Sequence, residues 1–323
     1  MKSDEDSQFQ NSLAKLTKNI LQKNGIRLNR AKGQNYLIDD FKRKKIIGFA
    51  NLSKEDIVLE IGAGIGTLTT EIAKKVKKVI AIEQDNKIFE VLSKRLVDES
   101  IYNVELINGD AVKIDLSEFS KFNKIVSNLP YQISSPITFK FLEFDFDLAI
   151  LMYQKEFANR MVAKVGDKNY SRLSAMLYFK ADVEFLDNVS PQSFIPRPKV
   201  DSSVVKLSPK NTDKLLLDSD NIEVYSKTCK AIFQHKNKKL RNALIDSRHI
   251  LGHDDKKHLR DFLDSNSSLE SYLTKRVVAT SPEEILELAI FLKPIIKWNK
   301  IKNELKFKNE LKFKNDYNSF LKF

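Results

Sequence analysis

Ile57-Val58-Leu59-Glu60-Ile61-Gly62-Ala63-Gly64-Ile65-Gly66 is a short apolar run that breaks into alternating glycines. The apolar part reads as a buried strand, and the glycines let the backbone that follows approach a ligand at the carboxyl end of a sheet. A nucleotide-type cofactor is implied. Thr67 stands where a dinucleotide fingerprint requires its third glycine, which weakens a dehydrogenase reading. Outward from this turn the pattern alternates. Helical spacing predicts helices over 68–76 and 88–96, and short apolar runs predict strands over 79–82, 104–107, 124–127 and 148–153. Strands separated by helical segments imply a parallel sheet covered on both faces.

Three further points lie at the ends of those strands. Glu83 closes the next strand roughly 20 residues after the glycine turn, where a carboxylate can take both hydroxyls of a ribose. Gly109-Asp110 closes the third strand, where a carboxylate can accept from an adenine amine. Asn128-Leu129-Pro130-Tyr131 follows the fourth. Pro130 removes one backbone donor and biases Leu129 toward extended backbone, so carbonyl oxygens there are not consumed by a helix. Asn128 adds a side-chain acceptor and Tyr131 an aromatic face, a set suited to the exocyclic amine of a flipped base. A plain turn leaving a buried strand is the alternative for an isolated Asn-x-Pro, and the order of motifs upstream favours the chemical reading.

Beyond residue 167 the pattern gives a helix over 173–179, extended chain over 183–189, the proline-rich Phe194-Ile195-Pro196-Arg197-Pro198, and one more strand over 202–207. The first domain is expected to end near Ser208-Pro209, and 212–293 reads as mainly helical and basic. Ser281-Pro282-Glu283-Glu284 has the form of a capped helix start. At the other end, Leu13, Leu16, Ile20 and Leu21 recur at helical spacing up to Gly25, a terminator of an amphipathic lead-in that follows an acidic start. Asn303-Glu304-Leu305-Lys306-Phe307-Lys308 repeats directly over 309–314, two copies being too few for a solenoid; a slippage duplication without a role is favoured slightly over a basic tail that settles on RNA.

Taken in order, these segments resemble the ribosomal RNA adenine dimethyltransferase family, whose members use S-adenosylmethionine to dimethylate two adjacent adenosines near the 3′ end of small-subunit rRNA. The resemblance runs from about residue 20 to about 292 and rests on Gly33-Gln34-Asn35-Tyr36-Leu37, the glycine turn, Glu83, Gly109-Asp110, Asn128-Leu129-Pro130-Tyr131 and the segment 193–202. Position 36 carries Tyr where the family more often has Phe. The resemblance implies an α/β fold: a Rossmann-like methyltransferase sheet with helices on both faces, followed by a small, mainly helical domain. Its divisions would be an extension over 1–19, the methyltransferase domain over 20–209, an RNA-binding domain over 210–296 and a basic tail over 297–323. It further implies that Gln34, Asn35, Leu37, Gly62 and Gly64 surround the cofactor, that Glu83 holds its ribose and Asp110 its adenine amine, and that Asn128 bridges cofactor and target. Tyr131 would stack on the target adenine, and Phe194 would form the opposite face or a pocket wall.

The charge balance agrees with a nucleic-acid partner. Lys+Arg 55 against Asp+Glu 43 gives a net charge of +12, which favours a polyanion, RNA first and an anionic membrane surface second. Lys236, Lys238, Lys239 and Arg241, with Leu240 and Leu244 marking a buried side, form the candidate RNA-contacting segment, and Lys42 to Lys45 a second patch; Lys74, Lys75, Lys77 and Lys78 read as a solvated helix end. The single Cys229 forms no internal disulfide and has no histidine partner in the pattern, so it is expected to be structural. His249 and His253 share helical spacing across Gly252 without a third ligand, and no metal site is expected. The start lacks the layout of a secretory signal, and no run approaches the roughly 18 apolar residues of a bilayer span. The expectation is a cytoplasmic monomer that acts on immature small subunits in ribosome biogenesis. Two other readings stay open: methylation of a large-subunit rRNA adenosine, and a non-catalytic assembly or transcription factor on the same fold.

Overall fold

The computed structural model describes residues 2–26, 33–119, 121–210, 219–253 and 255–296. It divides into two compact units, one of residues 1–162 and 180–210, the other of 163–179 and 211–323. The first unit opens with α1 (Lys2–Lys23), β1 (Tyr36–Leu37) and α2 (Asp40–Phe49), then β2 (Ile57–Ile61), α3 (Thr69–Ala73), β3 (Lys78–Glu83) and α4 (Asn86–Asp98). It continues with β4 (Val104–Asn108), β5 (Lys124–Asn128), α5 (Ser134–Phe141), β6 (Leu148–Gln154) and α6 (Lys155–Met161). The second unit contributes α7 (Arg172–Tyr178), after which the chain returns to the first for β7 (Ala181–Val189), β8 (Phe194–Ile195) and β9 (Ser202–Pro209).

The main sheet runs β4-β3-β2-β5-β6-β9-β7. Its first five strands are parallel, while β9 is antiparallel to both β6 and β7, so the sheet is mixed where the spacing alone implied a parallel one. Successive residues 58–61 of β2 and 79–82 of β3 are buried, so the sheet is covered on both faces, and this explains why these strands read as nearly unbroken apolar runs. Val58, Val79, Ala81 and Val126 pack on Ile46 and Ile47 of α2, Ile72 of α3 and Leu92 of α4 in one core. The chain crosses from β2 outward to β3 and β4 and then returns to β5 on the other side of β2. The carboxyl ends of β2 and β5 therefore form a topological switch point, where such sheets bind ligands.

One feature follows the sequence expectation and a second falls outside it. The lead-in is one helix through Lys23, with Leu13, Thr17 and Leu21 buried and Leu16 exposed, and Leu21 packs with Tyr36, Ile65 and Ile88. It ends as expected at Gly25, in left-handed backbone, with Ile26 N donating to Leu21 O at 2.9 Å. Second, β1 and β8 pair as a separate two-stranded sheet, Tyr36 opposite Ile195 and Leu37 opposite Phe194. Ser193 fastens the same junction, its Oγ donating to Asp39 Oδ2 at 2.9 Å while Asp39 caps α2.

The second unit adds α8 (Ser219–Ile232), α9 (Leu240–Asp246), α10 (Lys256–Asp264), α11 (Glu270–Leu273) and α12 (282–296). Tyr170 and Ala175 join its core with Tyr225, Cys229, Leu240, Leu244 and Leu288, so 163–179 belongs here although the sequence placed it in the first domain. Tyr170 Oη donates to Thr280 O at 3.0 Å and Tyr225 Oη to Ala175 O at 2.8 Å, which ties that segment to two helical stretches far along the chain. The helix start at Ser281 is a reciprocal cap: Ser281 N donates to Glu284 Oε2 at 2.9 Å and Glu284 N to Ser281 Oγ at 3.2 Å. Cys229 is fully buried, and burial pushes its thiol up to about 12. The hexapeptide repeat and the rest of the proposed tail lie outside the described residues.

Candidate active site

The residues singled out at the strand ends meet in one cleft of ≈ 420 Å³ in the first unit. Gln34, Asn35, Leu37, Gly62, Gly64, Glu83, Asp110, Asn128, Leu129, Pro130 and Tyr131 all line it. Gly62 and Gly64 have positive φ (73° and 58°), the conformation that L side chains rarely adopt. The space around them is as restrictive: a Cβ on Gly62 would lie 3.0 Å from Pro130 Cδ, and one on Gly64 3.1 Å from the Tyr36 ring. The glycine turn is thus pressed between β1 and the Asn128-Leu129-Pro130-Tyr131 loop.

Glu83 is held by backbone. Its Oε2 accepts from Gly64 N at 2.8 Å and its Oε1 from Asp85 N at 2.9 Å, with Gln84 N a further backbone donor. Burial raises its carboxyl above the ordinary range, partly opposed by those backbone donors. Asp110 accepts from Val112 N at 3.0 Å through Oδ1, with the exposed Lys113 ammonium 3.6 Å from Oδ2. Asn128 ends β5; its Nδ2 donates to Asn35 O at 3.1 Å, which leaves Oδ1 as an acceptor facing the site. One residue earlier, Ser127 Oγ accepts from Ile61 N at 2.9 Å and locks the end of β2 to β5. Pro130 O accepts from Ile133 N at 3.2 Å as the chain enters a short 3₁₀ turn over Tyr131–Ile133. Tyr131 sits half-buried in the wall, its hydroxyl 2.6 Å from Ser202 Oγ.

Phe194 does not join them. It is fully buried in the core beside Leu37, its register partner, and is not among the residues that line the cleft. The basic segment is not one continuous helix. Leu240 and Leu244 are buried as the spacing implied, but Lys236 to Lys239 form the turn before α9, with Lys239 at its N-cap. Lys238 pairs with Asp246 at 2.8 Å, Arg241 pairs bidentately with Asp264 (2.7 and 2.5 Å), and Lys236 Nζ donates to Lys168 O at 3.2 Å. Lys239 stays exposed. In the second patch, Lys42 and Lys45 pair with Asp187, and Arg43 and Lys44 with Asp40. Among the described residues no group of three metal-ligating side chains occurs; His253 Nε2 instead meets His258 Nδ1 at 3.0 Å.

Tyr36, Glu60 and Gln132 are among the lining residues that carried no assignment from sequence. Tyr36 and Glu60 each bury an unpartnered oxygen, Oη and Oε2. Burial pushes the Glu60 carboxyl up to about 8, the Thr69 hydroxyl opposing and the Glu83 carboxylate adding to the rise. A carboxyl in the middle of an otherwise apolar strand was a legible signal. Gln132 lies against Gly33, where a Cβ would meet its carboxamide, and nothing in the local pattern marks it.

Comparison with known proteins gives one answer. The family model described as ribosomal RNA adenine dimethylase matches residues 25–278. A Methanosphaera stadtmanae protein named "Probable ribosomal RNA small subunit methyltransferase A" is 49% identical over 280 residues, covering 86% of this chain and 98% of its own. Among solved structures, a dimethyladenosine transferase from Plasmodium falciparum is 33% identical with a TM-score of 0.67, covering 79% of this chain and 96% of that one. The 23S rRNA methyltransferase ErmE is 26% identical with a TM-score of 0.56, covering 79% and 98%. With a family model spanning most of the chain and half the residues shared with a near full-length relative, this chain belongs to the ribosomal RNA adenine dimethylase family.

Proposed function

We propose that this protein transfers methyl groups from S-adenosylmethionine to the exocyclic amines of two adjacent adenosines near the 3′ end of small-subunit rRNA, as a cytoplasmic monomer in ribosome biogenesis. The observation that carries the reading is the convergence of Gly62, Glu83, Asp110 and Asn128, from the ends of β2, β3, β4 and β5, on one cleft beside an aromatic ring. Family membership and the identities to proteins named for small-subunit RNA or dimethyladenosine, higher than to the large-subunit enzyme, favour this over a large-subunit target. No helix among the described residues is long and apolar enough to cross a membrane.

The residues fit the cofactor. Side-chain-free Gly62 and Gly64 leave room for close approach, Glu83 offers acceptors to ribose hydroxyls, Asp110 offers one to an adenine amine, and the unpartnered Tyr36 Oη and Glu60 Oε2 invite a polar ligand. When bound, the cofactor supplies a methyl group already activated on a sulfonium. The chain's own task is to prepare the nucleophile. An adenine amine is a poor one because its lone pair is delocalised into the ring, and acceptors on its two hydrogens turn that pair outward. Asn128 Oδ1 is one acceptor, kept free because its amide nitrogen is tied to Asn35 O. Pro130 O is taken by Ile133 N, so Leu129 O is the better backbone candidate for the other. The amine becomes acidic only as the new bond forms, so neutral acceptors suffice without a strong base. Tyr131 stacks on the extruded base, offsetting by about 1–3 kcal/mol the cost of unstacking it. Lys236, Lys238, Lys239 and Arg241 contact RNA phosphates.

The test is to incubate the protein with labelled methyl donor and immature small subunits and to map the methylated nucleotides. Label on two adjacent adenosines near the 3′ end is expected. Label confined to large-subunit RNA, or none with cofactor bound, overturns the proposal.

A further inference from the structure

The phenol of Tyr131 does not point into solvent. It reaches away from the cleft to Ser202 Oγ, at 2.6 Å. Ser202 is fully buried and is the first residue of β9, where it sits opposite Gln154 of β6 on one side and Val189 of β7 on the other. Strands on both sides fix its backbone, which makes its hydroxyl a rigid anchor. The backbone of Tyr131 is held separately, its carbonyl accepting from Ser134 Oγ at 3.0 Å. Ser134 O in turn accepts from Thr138 Oγ1 at 2.6 Å, and Thr138 meets the buried Tyr153 hydroxyl of β6 at 2.6 Å. With its carbonyl and its phenol both tied, the side chain between them cannot swing away from the cleft wall.

We infer that Ser202 is a positioning residue for methyl transfer, holding the Tyr131 ring at the place where the target adenine stacks. The inference rests on the proposed function, and it explains why position 131 carries a phenol when a bare ring would suffice to stack. Stacking tolerates no large rotation of the platform, because the amine must meet Asn128 Oδ1 while the base lies flat on the ring. Ser203 supplies an internal comparison. It is equally buried and adjacent, but its Oγ donates to Asn188 Oδ1 at 3.4 Å on the β7 side and does not touch the loop.

The experiment compares Ser202→Ala, Tyr131→Phe, the double variant and Ser203→Ala in the full chain, measuring single-turnover methylation of immature small subunits and cofactor affinity by titration. Ser202→Ala and Tyr131→Phe should each slow methyl transfer roughly 5- to 30-fold, the loss of one partly buried hydrogen bond, with cofactor affinity unchanged. The double variant should be no slower than the slower single one, since both remove the same interaction. Ser203→Ala should keep the wild-type rate. Either single variant at the wild-type rate, or losses that multiply in the double variant, overturns the inference. Should Ser202→Ala fail to fold, Tyr131→Phe, which removes one oxygen and no packing, decides alone. An inactive wild-type protein would instead sink the proposed function, so the two failures are distinguishable.

Discussion

Glu60 is a carboxyl inside a strand that is otherwise apolar, and its burial has a measurable cost. Its side chain pairs Oε2 with nothing, and burial lifts the carboxyl from an ordinary 4.5 to about 8. The folded protein therefore retains a proton that the unfolded chain has already released across the whole interval from pH 4.5 to about 8. Stability that is fully present below the unfolded value is lost as pH rises through that interval and reaches a floor above the folded value. The slope is at most about 1.4 kcal/mol per pH unit, and the full loss is on the order of 5 kcal/mol. Glu60→Gln keeps the shape and cannot ionise, so it should escape the decline. The assay is urea unfolding of the cofactor-free chain followed by circular dichroism from pH 5 to 9. The advantage of the variant over wild type should widen steadily up to about pH 8 and then level off. Glu83, also raised by burial, is present in both proteins. A constant difference between the two proteins across this range would refute the reasoning, because it would mean that Glu60 ionises as a solvated carboxyl does.

Other perturbations separate the parts of the site. Tyr131→Ala should reduce single-turnover methylation by roughly 5- to 150-fold, the worth of one stacked base, while cofactor titration changes little; equal losses of both would count against a stacking role. Gly62→Ala should weaken cofactor binding more than any change at Tyr131 does, since the new Cβ would meet Pro130 at 3.0 Å in left-handed backbone; isothermal titration with wild-type affinity would show that the turn yields freely. Replacing Lys238 and Lys239 by Ala should weaken RNA binding and lower the slope of log K against log salt by about one to two, whereas an unchanged slope would remove them from the phosphate interface. Glu284→Ala should cost the second unit about 0.5–2 kcal/mol through its lost reciprocal cap with Ser281, read as a shift in its urea midpoint.

The parts of this site that were legible in the sequence are those fixed by a local rule. In a doubly wound sheet a ligand lies at the carboxyl ends of the strands, so Gly62, Glu83, Asp110 and Asn128 could be found by locating where each apolar run stops. The parts that were not legible are pairings between distant segments that leave no periodic trace. Tyr36–Leu37 and Phe194–Ile195 are strands of two residues each, too short for an alternation to register, and only their pairing places Phe194 in the core beside Leu37. The segment 163–179 has the helical spacing of either unit, and its membership is decided by Tyr170 and Ala175 entering the core built around Cys229 and Leu240. The basic run after Phe233 looked like one helix because charge gives no period, yet its cations lie mainly in the turn that precedes α9. The same division runs through the chemistry. That Asn128 and Tyr131 are present is a local fact of four consecutive residues. That Asn128 presents its oxygen depends on Asn35 O, and that the Tyr131 ring is held depends on Ser202 Oγ. Both partners come from segments far from the motif along the chain, Asn35 just before β1 and Ser202 at the start of β9. A sequence motif can therefore specify which groups react, while their orientation is set by strand pairings formed far from the motif along the chain.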